Sequence, residues 1–185
     1  EWTEAMCAYL SIMLDRLANQ SSTVSRWNQG GENIEGTFAR FALPILWDFA
    51  EVGPLSDTSG GFASALEWVG LACQHFLSAA GRGREPNIVR ASATTLGVQE
   101  VDLILTDPPY YDAIPYSDLM DFFYIWLRRA TRDLSPEVDS QFAERLGPKW
   151  NHESSDGELI DDASRHEGDA KTSKQVYEDG MFRAF

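Results

Sequence analysis

Val101-Asp102-Leu103-Ile104-Leu105-Thr106-Asp107-Pro108-Pro109-Tyr110 is the stretch on which the reading of this chain turns. Its first six residues have the length and apolar composition of a buried strand. Two consecutive prolines donate no hydrogen bond to a ladder, so the strand must stop there and the chain must turn. The turn then projects an aspartate, two carbonyls and an aromatic ring from the carboxyl end of a strand. In open α/β sheets that edge is where ligands bind.

A carboxylate beside a rigid, outward-facing carbonyl is a pair of acceptors with no donor between them. An exocyclic amine, such as N6 of adenine or N4 of cytosine, presents two N–H donors to such a pair. Accepting both bonds draws the nitrogen lone pair out of conjugation and makes it nucleophilic. The proline ring presets the carbonyl position, and Tyr110 offers a flat face on which a heterocycle can stack, as flipped bases do. Positioning and polarisation suffice for this chemistry, without a metal or a covalent nucleophile.

The tetrapeptide Asp107-Pro108-Pro109-Tyr110 matches the catalytic motif of the amino-methyltransferases. The longer string from Thr106 to Arg129, TDPPYYDAIPYSDLMDFFYIWLRR, resembles the large bacterial and archaeal adenine-specific DNA methylases. The segments FARFALPILWDFAE (Phe38 to Glu51) and LIDDASRHEGDAKTSK (Leu159 to Lys174) resemble the same family. The likeness covers much of the chain from Phe38 onward. It implies S-adenosylmethionine as cofactor, N6 of adenine in DNA as target, and Asp107, Pro108, Pro109 and Tyr110 as catalytic residues. It also implies a partial Rossmann-like α/β fold, with helices flanking a small parallel sheet. Asn87 to Arg90 reads as a second short strand, whose end would lie near the motif. In methyltransferases of this plan the loop that follows touches the cofactor adenine, which puts Ser92 and Ala93 beside the cofactor together with Asp107. Tyr111 and Tyr116, on the loop after the motif, would line the mouth of the base pocket. Transfer to cytosine N4 uses the same acceptor pair. Relatives acting on glutamine or on guanine usually begin the motif with Asn, so Asp107 counts against them. A rival of another class is a non-catalytic scaffold in a restriction-modification or anti-phage complex.

Charge bears on the partner. The 185 residues carry 15 Lys and Arg against 29 Asp and Glu, a net charge of −14, whereas binding a polyanion needs cations. The family's glycine-rich cofactor turn is not found in this sequence. Both features read as those of an internal piece of a larger enzyme, inactive alone, with DNA as partner of the whole. Within the piece, Lys149, Arg165 and Lys171 are the candidate phosphate contacts. Cys7 and Cys73 stand far apart with no CxxC spacing, which argues against zinc and for a reducing, cytoplasmic compartment. No apolar run reaches membrane-spanning length.

Along the chain, residues 1–83 read as a helical region, 84–133 as a strand–motif–helix core, 134–172 as a polar loop, and 173–185 as the start of a further helix. A helix is predicted from about Thr3 to Ala18, then a loop to Asn33 with Trp27 packing back on the core. A second helical face runs from Phe38 to Phe49, with a kink or break at Pro44 near Leu43. A third helix, capped by Ser59 and Gly81, buries Phe62, Leu66, Val69, Cys73, Phe76 and Leu77. A fourth, capped by Ser117, carries Leu119, Phe122, Phe123, Trp126 and Leu127 on its apolar face. The polar stretch from Leu134 to Lys174 reads as a mobile lid that orders on DNA, with Ser173 capping the last helix.

Overall fold

The structure, a computed structural model, describes residues 2–38, 45–84, 86–97, 100–111, 114–144, 146–147 and 149–185. The chain divides into two compact units, one of Glu1–Glu85 with Leu119–Leu146 and one of Pro86–Asp118 with Gly147–Phe185.

In the first unit, α1 (Trp2–Gln20) packs against α2 (Phe62–Ala80), and the Arg16 guanidinium lies 5.1 Å from the centre of the Trp68 ring. Between them the loop expected up to Asn33 holds a short antiparallel hairpin, β1 (Arg26–Asn28) with β2 (Asn33–Glu35). Its turn closes because the Asn28 side-chain oxygen accepts the N–H groups of Gly30 and Gly31, the local bonding that favours Asn in turns. Trp27 stays exposed. The core of this unit is small: Met13, Ile34, Ala65 and Tyr124 are its buried hydrophobic residues among those described. Of the apolar face predicted for α2, Phe62, Leu66, Phe76 and Leu77 are exposed. Gly61 stands at its N-cap in place of Ser59, while Gly81 closes it as expected. The predicted kink at Pro44 lies outside the described residues, and Ile45 to Ala50 are irregular.

The amphipathic helix after the motif is α3 (Tyr116–Thr131). Phe38 meets the edges of Phe122 and Phe123, with centroids 5.2 and 5.6 Å apart. A short α4 (Pro136–Gln141) follows, capped by Ser135, whose hydroxyl accepts the Val138 N–H.

In the second unit a 3₁₀ turn (Ala163–His166) packs on α5 (Ala170–Ala184). The cap of α5 is Asp169, which accepts the N–H groups of Lys171 and Thr172. Ser173, expected at that cap, is fully buried inside the helix and donates to Asp161 at 2.6 Å. Ile160, His166 and Tyr177 are buried beside it. Burial holds the His166 imidazole below its usual pKa, with a further push from His152.

The partial Rossmann-like α/β fold does not form. Helices account for 46% of the described residues, and among these the one sheet is the two-stranded antiparallel hairpin. Val101 to Thr106 is irregular and exposed, Leu105 at 85%, and so is Asn87 to Arg90. A strand is made by its neighbour as much as by its own residues. Buried backbone N–H and C=O groups need partners, and neither run has a ladder partner among the described residues. β-branched and aliphatic composition describes a surface that fits a sheet; it does not supply the sheet.

Candidate functional site

The motif leaves the irregular run with Asp107 exposed, Pro108 and Pro109 half-buried, and Tyr110 64% exposed. What fixes this loop comes from α5 and from the segment before it. The Tyr177 hydroxyl donates to the Pro109 carbonyl at 2.7 Å. The Tyr111 ring leans on Tyr177 with centroids 4.5 Å apart, its hydroxyl donates to Glu178, and its carbonyl accepts the Asp161 N–H at 2.9 Å. The Glu178 carboxylate pushes the Tyr111 phenol up to about 12, because ionising it would place two anions in contact. Tyr111 is therefore held by Tyr177 and Glu178 of α5 and by the Asp161 N–H before it. Tyr116, the other expected pocket residue, is the exposed first residue of α3.

Ser92 and Ala93 do meet the motif. With Pro109 they line a cavity of about 480 Å³ whose other wall is Asp156, Gly157 and Leu159. Asp156 accepts the Ser92 hydroxyl at 2.7 Å and the Thr94 hydroxyl at 3.4 Å. These bonds, with the Gly157 N–H, hold its carboxyl below the usual range. Gly157 has φ +129°, and a Cβ there would collide with the Lys149 carbonyl, so glycine is required at this wall. The size lies within that of small-molecule sites, about 300–1,000 Å³. Its apolar patches (Pro109, Leu159, Ala93) suit a heterocycle, and its hydroxyls and carboxylate suit the hydroxyl groups of a sugar. The lining thus suits a group of nucleoside type. Asp107 and Tyr110 are not among the lining residues. Asp156, Gly157 and Leu159 escaped the sequence reading because they sit in a polar stretch with no motif. The one sign available was the Asp-Gly pair, a turn signal.

The expected phosphate contacts are placed differently. Arg165 has a side chain only 12% exposed and lies 2.5 Å from Glu158, 3.0 Å from Asp118 and 3.6 Å from Asp162. Glu158 also accepts the N–H and hydroxyl of Ser117, at 2.8 and 2.7 Å. Lys149 pairs with Asp118 at 2.6 Å, and this bond is the main cause that keeps the Asp118 carboxyl below its usual range. The charges of Lys149 and Arg165 are met inside the unit. Lys171 is exposed on the first turn of α5.

No known protein family, no curated protein and no solved structure matches the chain. No helix among the described residues is long and apolar enough to cross a membrane.

Proposed function

We propose that the chain carries the catalytic loop of an S-adenosylmethionine-dependent methyltransferase acting on N6 of adenine in DNA. The observation that carries this reading is the motif itself: Asp107 and Tyr110 stand exposed on an irregular loop whose Pro109 carbonyl is held by Tyr177. An exposed carboxylate, a proline carbonyl and an aromatic face on one short loop are the parts needed to bind and polarise a heterocyclic amine. The cavity walled by Ser92, Ala93 and Pro109 adjoins the same loop and takes the nucleoside part of the cofactor. When bound, the cofactor supplies the methyl group. Asp107 accepts one amine proton bond, and Tyr110 stacks on the base.

The test is methyl transfer from labelled S-adenosylmethionine to DNA by the intact protein, followed by analysis of the modified base. N6-methyladenine is expected, and Asp107→Ala should lower the rate at least about 100-fold, the scale set by losing one positioned polar group. N4-methylcytosine as sole product would move the target to cytosine. Near-normal turnover by Asp107→Ala would remove the amine-polarising role.

A second reading, a non-catalytic scaffold in a restriction-modification or anti-phage complex, is favoured by the exposed Trp47, Leu55, Trp68 and Leu77 in the first unit. Apolar side chains of this size on a surface mark contact with a partner when they are contiguous. Absence of methylation together with stable complex formation would select it.

A further inference from the structure

We propose that the cavity at the carboxyl end of α3 binds phosphates of a nucleic-acid backbone; this rests on the DNA reading above and assigns its contact surface. The cavity, about 530 Å³, is lined by Arg128, Arg129, Arg132, Asp133, Asp139 and Phe142. Three guanidiniums against two carboxylates is a local excess of cations in a chain where acids outnumber bases 29 to 15. The two acids are partly committed. The Asp139 carboxylate accepts the Asp133 N–H at 3.0 Å, and the Asp133 carboxylate pairs with Arg132 at 3.4 Å. Arg128 and Arg129 make no ion pair with any described residue.

Two guanidiniums without an ion-pair partner among the described residues face one cavity, and the helix dipole answers only a fraction of their charge. Arg128 and Arg129 stand in the last turn of α3 and Arg132 lies just past its end, so like charges gather at one place. Their chemistry suits an anion with several oxygens, since the planar fork of arginine donates two parallel bonds to phosphate. The carboxyl end of α3 carries a partial negative charge of about one half, which Arg128 and Arg129 in its last turn and Arg132 just beyond it outweigh. Phe142 adds an aromatic face, lying 5.4 Å from the Tyr124 ring, of the kind that nucleic-acid grooves interleave with cations. By contrast Lys149 and Arg165 are spent on internal carboxylates.

The test is fluorescence anisotropy of a short labelled DNA duplex with the whole chain across a salt series. Arg128→Gln with Arg129→Gln should weaken binding about tenfold or more at low salt and lower the salt slope by about two. Arg128→Lys with Arg129→Lys should keep the slope, separating charge from any effect on packing. Lys149→Gln should leave binding within about twofold, since its charge is already paired. The proposal falls if wild type fails to bind the duplex at low salt, or if the glutamine variant binds as wild type does. It falls too if inorganic phosphate perturbs the cavity while the duplex does not, which would mark a site for free phosphate. Loss of methylation with duplex binding intact would sink the methyltransferase reading and leave this site standing.

Discussion

Within the second compact unit, the neighbourhood of Arg165 and the run from Val101 to Leu105 treat their surroundings in opposite ways. Arg165 is a full charge with a side chain 12% exposed, and every donor group it aims inward meets an acceptor: Glu158, Asp118, Asp162 and the Ser117 hydroxyl. Leu103, Ile104 and Leu105 are aliphatic and mostly in solvent. The first region is buried because its polar atoms are satisfied. The second is exposed because its backbone has no ladder partner among the described residues. At these two places burial follows hydrogen-bond completeness more than hydropathy, in accord with the cost of burying an unpaired polar group.

That comparison predicts its largest effect at the hub. Arg165→Met should lower the unfolding free energy by about 3–5 kcal/mol, the loss seen when one partner of a buried pair is removed and the other is left uncompensated. Glu158, with a side chain 11% exposed, is the group left behind. Chemical denaturation at neutral pH measures it. A loss below about 1 kcal/mol, the range of exposed pairs, would mean that the network is ordinary surface.

Asp15 in α1 is the counterexample that sharpens the point. It is buried, and its Oδ1 has no hydrogen-bond partner among the described residues. Burial pushes its carboxyl up to about 6 from 3.8. A raised folded-state pKa means that the protonated form is favoured in the fold. Its stabilising contribution is present below pH 4 and is lost as pH rises through about 6. Asp15→Asn, which cannot ionise, should therefore stabilise the protein at pH 7 by about 1–2 kcal/mol, with the gain fading as pH falls from 6 to 4. Thermal unfolding of both proteins across that window decides it; a gain constant with pH would detach it from ionisation.

Local periodicity made part of the fold legible. Helical spacing placed α1 and α3, although Met6, Tyr9 and Leu10 of the expected α1 face and Trp126 of the α3 face are exposed. Gly81 stands at the C-cap of α2 as expected, though in the right-handed conformation that any residue adopts. Elements that depend on a distant partner were not legible. The strand reading of Val101 to Thr106 lacked a neighbour, and the polar stretch around Arg165 read as a lid. Its hydrogen bonds reach residues 41 to 48 positions away, Ser117 and Asp118. Of the candidate site, the motif and the Ser92–Ala93 loop were legible as sequence. Tyr177 and Asp156, which fix them, reach Pro109 and Ser92 across 68 and 64 positions, with no local signal.

The smallest expected effect tests the other half of the comparison. Leu105→Ser removes an aliphatic side chain from a run whose composition is that of a core strand. If that composition governed, the change would cost about 2–5 kcal/mol, as large-to-small substitutions in a core do. The side chain is 85% exposed, so little apolar surface returns to water on unfolding and no cavity is left behind. The change should stay within about 0.5 kcal/mol, the usual range for surface positions. The same denaturation experiment used for Arg165 reads both variants on one scale. A cost near that of Arg165→Met would place Leu105 in a core and overturn the exposed, unpaired reading of the whole run.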